Sequence, residues 1–135
     1  MIPFIVPEIA VLNAVSVNTV SSAIDISDYD VISINLFATS AATSDATIKV
    51  YISNSEDAVT IGTPSATNMY GRVAIKDLGT ETSYTESSEF TLGASATHNR
   101  IFNVNTDGAR KMWIEVAGVA GTVAVTATVS GRKVS

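Results

Sequence analysis

Residues 110–133, RKMWIEVAGVAGTVAVTATVSGRK, constrain the fold more than any other stretch of the chain. Met112, Ile114 and Val116 alternate with Lys111, Trp113 and Glu115. After a small-residue turn (Gly118, Val119, Ala120, Gly121), Val123, Val125, Ala127 and Val129 alternate with Ala124, Thr126, Thr128 and Ser130. A period of two puts the two sets of side chains on opposite faces of a strand, so each run reads as a strand with one buried and one more polar face. The glycine-bounded turn between them predicts an antiparallel hairpin. Trp113, out of phase with Met112 and Ile114, is expected to point away from the core.

The earlier apolar runs have the same character. In residues 31–39, Ile32, Ile34 and Leu36 alternate with Ser33 and Asn35; in residues 46–53, Ile48, Val50 and Ile52 alternate with Lys49 and Tyr51. Further strands are expected over 11–20, around Ile24 and Ile26, over 71–79, over 89–92 and over 100–105. Residues 54–70, rich in Ser, Thr, Asn and Gly, read as a long irregular connection with a short strand at 59–61. No stretch carries a convincing helical period or cap. About eight strands separated by turn clusters predict an all-β fold, an antiparallel β-sandwich of jelly-roll type with two sheets of about four strands. The expected core is Ile32, Ile34, Leu36, Ile48, Val50, Ile52, Val73, Ile75, Phe102, Val104, Met112, Ile114, Val116, Val123, Val125 and Val129.

Residues 1–10 stand apart from this single domain, which is assigned to 11–135. Ile2, Phe4, Ile5, Val6 and Ile9 are too apolar for a solvated tail, while Pro3 and Pro7 forbid a regular interior strand. The segment is expected to be an extended apolar arm, lying either on its own domain or on a neighbouring subunit. It lacks the basic start of a signal peptide and reads as part of the mature protein.

Only 16% of residues are charged, below the roughly one-quarter usual for soluble domains, and Ala, Ser and Thr fill the gap. Such a surface suits an assembly, because few charges must be desolvated when a partner arrives. The formal net charge of −5 and the scattered Lys and Arg argue against nucleic acid as a partner. No apolar run approaches the ~18–20 residues of a membrane-spanning helix. The absence of cysteine excludes disulfides and thiolate chemistry.

Candidate chemistry is sparse. Asp25, Asp28 and Asp30 form the best calcium candidate, although the stretch lacks the glycine and distal glutamate of a calcium loop, and aspartates at strand ends also stabilise turns. His98, the single histidine, lies in SATHNR near Ser95 and Thr97 without a nucleophile motif. Glu56, Glu81, Glu86 and Glu89 sit in polar loops and read as solvated surface. No catalytic, cofactor or metal residues are assigned, and an enzyme is not expected. Trp113, Tyr51, Tyr70 and Tyr84 could stack on sugars, but burial of Trp113, within the chain or between subunits, is the preferred reading.

Three stretches taken together, SSAIDISDYDVISINL (21–36), TIKVYISNS (47–55) and RKMWIEVAGVAGTVAVTATVSGR (110–132), resemble a group of small virion proteins of tailed bacteriophages. In that group an Ile-Asp-hydrophobic-Ser-x-Tyr turn precedes a strand, a later strand ends in Ser-Asn, and the chain closes on a valine/threonine strand ending in Gly-Lys or Gly-Arg. Ala58 and Val59 stand where an aromatic often follows the Ser-Asn turn, and Met112 and Trp113 stand where tyrosines are usual. The resemblance implies a β-sandwich subunit of a capsid decoration, head-fibre or tail-associated kind. It implies a homotrimer located in the virion, made in the host cytoplasm, whose partners are itself and the major capsid protein or another virion protein. No catalytic residues and no cofactor come with it. Ile2, Phe4, Ile5, Val6 and Trp113 are the expected assembly contacts. The alternative is a carbohydrate-binding or host-recognition adhesin module.

Overall fold

The computed structural model describes residues 4–5, 9–40, 46–78, 85–87, 89–93 and 97–133. Within them the chain forms β1 (Phe4–Ile5), β2 (Ile9–Val15), β3 (Thr19–Val20), β4 (Ile24–Asp25), β5 (Val31–Ser40), β6 (Thr47–Ser53) and β7 (Gly71–Arg72). It continues as β8 (Ile75–Asp77), β9 (Thr85–Ser87), β10 (Phe90–Thr91), β11 (Thr97–Asn105), β12 (Lys111–Ala117) and β13 (Val123–Lys133). The strands form two antiparallel sheets that close as a β-sandwich. The first runs β1–β13–β5–β11–β8–β9, with β2 also on β13; the second runs β10–β6–β12–β3, with β4 on β12 and β7 on β6. The count is thirteen strands in sheets of seven and six among the described residues, not about eight in two sheets of about four. The excess comes from two- and three-residue strands, too short to show a period in sequence.

The predicted hairpin is not formed. β12 pairs with β6, β3 and β4 in the second sheet, whereas β13 pairs with β5, β2 and β1 in the first. A two-residue turn would keep both strands in one sheet. Here residues 118–122 intervene, and Gly118 and Gly121 take φ of 69° and 81°, conformations that glycine adopts without a Cβ penalty. The connection carries the chain across the core, so the apolar faces of β12 and β13 face each other instead of lying side by side. The single strand expected over 71–79 also divides between the sheets: β7 stays with β6, and β8 crosses to β11. No strand forms at 59–61. That loop is braced instead by Asn68, whose Oδ1 accepts from Thr60 N at 2.8 Å and whose Nδ2 donates to Thr60 O at 2.7 Å and Thr63 O at 2.8 Å.

The core is that expected from the alternation, except that Ile52 and Val73 are only partly buried against it. Leu12, Ile26, Ala38, Ala46, Leu92, Ala109 and Ala127 join it. At one end the 26–30 turn closes the sandwich. Tyr29 N donates to Ile26 O at 3.1 Å, Asp30 N donates to Arg132 O at 2.9 Å, and the Thr106 hydroxyl donates to Tyr29 O at 2.7 Å. The Tyr29 ring lies on Gly131, where a Cβ would stand 2.6 Å from Tyr29 Cγ. Two sequence motifs a hundred residues apart, the Ile-Asp-Ile-Ser-Asp-Tyr turn and the closing Gly-Arg, therefore meet in one packing contact that only glycine admits.

Candidate interaction surface

The outer face of the first sheet is built from the residues that alternate with the core. From β5 it presents Ser33, Asn35, Phe37 and Thr39; their neighbours Ile32, Ile34, Leu36 and Ala38 are buried. β11 adds Thr97, Asn99, Ile101 and Asn103, in register opposite Thr39, Phe37, Asn35 and Ser33. On the other flank β13 adds Ala124, Thr126, Thr128 and Ser130, opposite the same four residues of β5. At the edge, β2 contributes Ala10 opposite Thr128, together with Asn13 and Ala14. Asn13 and Ala14 occupy an irregularity in the β2–β13 pairing, where Ala14 has φ 49° and its N–H donates to Thr126 Oγ1 at 3.1 Å.

None of these side chains is charged. Phe37 (51% exposed), Ile101 (46%) and Leu78 (41%) stand out from the face on adjacent strands, Leu78 lying opposite Ile101 through its N–H to Ile101 O at 2.9 Å. Between them the surface is Ser, Thr and Asn, partly bonded to itself, as in Ser33 Oγ to Asn103 Oδ1 at 3.0 Å. Charge begins at the rim. Lys76 is opposite Asn103, and Arg132 is opposite Val31. Both border a polar cleft of about 560 Å³ shared with Arg72, Asn103, Asn105 and Asp107.

The outer face of the second sheet differs. Asp25 and Ser53 flank Lys111, Tyr51 and Arg72 follow Trp113 across the sheet, and Lys49 lies beside Glu115. The Tyr51 hydroxyl donates to Glu115 Oε1 at 2.8 Å, and burial together with that carboxylate pushes its pKa up to about 12. The 54–70 loop is tied to this side of the molecule. Lys111 Nζ donates to Asp57 O at 2.8 Å, Arg110 pairs with Glu56 at 3.2 Å, the Ser53 hydroxyl donates to Met69 O at 2.6 Å, and the Tyr51 and Tyr70 rings meet edge to face at 5.5 Å. Trp113, among these anchors, is 4% exposed yet lies outside the core cluster.

The residues singled out in sequence fall as follows. Trp113 does point away from the core, but it is covered within the chain and offers no surface to a partner or a sugar. Tyr51 and Tyr70 are engaged, the latter accepting from Gly62 N at 2.7 Å; Tyr84 lies outside the described residues. Phe4 and Ile5 pair in register with Lys133 and Arg132, extending along β13 the edge that β2 occupies. The boundary drawn at residue 10 falls inside β2. Ile2 and Val6 lie outside the described residues, as do Glu81 and Ser95. Asp25 Oδ1 accepts from Ser27 Oγ at 2.7 Å and Ser27 N at 3.0 Å, contacts that hold its carboxyl below the usual range and mark a turn. Asp30 holds the turn through its backbone, accepting at its carbonyl from Thr106 N at 3.1 Å. Among the described residues no three His, Asp or Glu groups gather as a metal site. His98 packs edge to face on Phe90 at 5.4 Å, and its buried Nε2 has no hydrogen-bond partner among the described residues. The uncharged face was in the sequence as the polar half of each alternation. It was missed as a unit because only the register joins its four strands.

No family model matches the chain, and no curated protein matches it. Among solved structures it is similar to the crystal structure of the SPBc2 prophage-derived protein YomS, at 15% sequence identity and a TM-score of 0.64. The match covers 97% of this chain and 96% of that one. At this identity the likeness is one of fold, and the sandwich described here is shared with that prophage-derived protein from end to end.

Proposed function

We propose that the chain is a non-enzymatic structural subunit of a bacteriophage particle, binding the outer surface of the head as a decoration protein. The observation that carries this reading is the end-to-end likeness in fold to a prophage-derived protein of nearly the same extent. It agrees with the sequence resemblance to small virion proteins, and in this chain the Tyr turn and the closing Gly-Arg that carry the resemblance form one packing unit in the Tyr29–Gly131 contact. In this reading the subunit is a homo-oligomer, a trimer by the resemblance, and its N-terminal segment beside β13 attaches it to the major capsid protein. The rival adhesin reading loses its platform, since Trp113 is buried and the Tyr51 and Tyr70 hydroxyls are engaged within the chain.

The test is electron microscopy of the parent phage with gold-labelled antibody against the chain. Gold on the heads is the expected outcome, and labelling should fall when residues 1–7 are deleted. Protein found only in the soluble lysate, with unlabelled particles, would overturn the proposal.

A further inference from the structure

We infer that the uncharged outer face of the first sheet is where copies of this chain pack on one another, like face against like face. The inference rests on the reading of the chain as an assembling subunit, and on nothing about where that subunit attaches.

Three observations select a second copy as the occupant. The chain carries a net charge of −5, so two copies repel wherever their charged surfaces approach. That repulsion is absent over the face formed by β2, β13, β5 and β11, where the outward side chains from Ser33 to Thr39 and those opposite them in the register hold no charge, Arg132 opposite Val31 marking the border. A strongly cationic or anionic partner gains nothing there, whereas an identical neutral surface buries no charge against it and can pair its hydroxyls and amides with their like.

The second observation is composition. The centre holds exposed Phe37 and Ile101 with Leu78 beside them, set among Ser, Thr and Asn, and the charged Lys76 and Arg132 lie at the border. An apolar, charge-depleted centre inside a polar rim is the anatomy of a protein–protein contact. Phe37 and Ile101 sit diagonally on neighbouring strands, since Phe37 is opposite Asn99 and Ile101 opposite Asn35. Faces related by rotation can therefore set Phe37 of one copy against Ile101 of the next.

The third is size. Four strands at about 4.8 Å spacing and about eight residues at about 3.3 Å give roughly 500 Å² in projection. That is the scale of the roughly 800 Å² per partner in a stable interface. Faces turned toward a common axis suit two copies or three alike.

The test is the mass of the full chain by sedimentation equilibrium. The wild type should exceed the 14.1 kDa of one chain. The double variant Phe37→Ser/Ile101→Thr keeps strand-compatible residues and should run as the monomer, with its dissociation constant raised about 30-fold or more. Thr47→Glu, on the outer face of the second sheet, should keep the wild-type mass. Should the double variant fail to fold by circular dichroism, Asn99→Lys places one charge on the same face and should also lower the mass. A monomeric wild type, a double variant of unchanged mass, or a monomeric wild type that uses Phe37 to bind particles or carbohydrate would overturn the inference. Loss of particle labelling with the mass intact would count against the decoration reading alone.

Discussion

On the outer face of the second sheet, Lys49 stands beside Glu115, Tyr51 donates to Glu115, and the 54–70 loop is anchored there by Lys111 and Ser53. The equivalent area of the first sheet holds Asn35, Phe37, Ile101 and Thr126, with no loop tied over it among the described residues. Both faces carry a large aromatic residue on a central strand. Trp113 is 4% exposed and Phe37 is 51% exposed. One sheet has had its apolar outward residue covered by its own chain, and the other presents its apolar residues on a neutral field. An outward apolar position in a sandwich is thus either covered within its own chain or left open to a partner, and here charge placement separates the two.

The sharpest break of this comparison lies within a single strand. Val125 and Thr126 are neighbours on β13, the first fully buried and the second on the neutral face. Val125→Asp buries a carboxylate with no partner and should abolish folding, read as loss of the strand signal in far-UV circular dichroism. Thr126→Asp should fold, because the carboxylate can still accept from Ala14 N, and its cost should appear in self-association.

Next in size is the contrast between the two aromatics. Trp113→Ala should lower the stability of the monomer by about 3–5 kcal/mol, the range for truncating a buried large side chain. Phe37→Ala, measured at concentrations too low for association, should stay within about 0.5 kcal/mol of wild type. Urea unfolding of both variants checks the pair. Equal losses would mean that Phe37 is as covered as Trp113.

The smallest effect concerns pH. Tyr51 has a folded pKa of about 12, raised by burial and by Glu115, above the ordinary tyrosine value of 10.0. The unfolded chain therefore gives up this proton first as pH rises. The contribution is fully present below about pH 10 and is lost between about pH 10 and 12. Tyr51→Phe should flatten that part of the stability profile. An unchanged alkaline slope in the variant would show that the Tyr51–Glu115 contact does not set it.

Which side of a strand faces the core was legible in the sequence, because a period of two is a property of each strand alone. Ile32, Ile34 and Leu36, or Val123, Val125 and Val129, are buried as their alternation requires. Which strand lies beside which was not, because pairing depends on how each connection turns. The same alternation that marked β12 and β13 as strands suggested a hairpin, and only the path of residues 118–122 with two left-handed glycines sends them to opposite sheets. Trp113 was legible as outward and not as buried, since alternation gives the face of a strand and not what lies over it. The neutral face needed the register, because no single strand shows that the outward positions level with Ser33 to Thr39 lack charge on all four strands.

Whether the neutral face meets its own kind can be measured directly, because the chain contains no cysteine. Asn35→Cys places a single thiol at the centre of the first sheet's outer face, and Thr47→Cys places one on the outer face of the second. Each variant is treated at low concentration with a short bis-maleimide and resolved on a denaturing gel. A cross-linked pair of chains is expected for Asn35→Cys and single chains for Thr47→Cys. Cross-linking at Thr47→Cys with single chains at Asn35→Cys would contradict the inference.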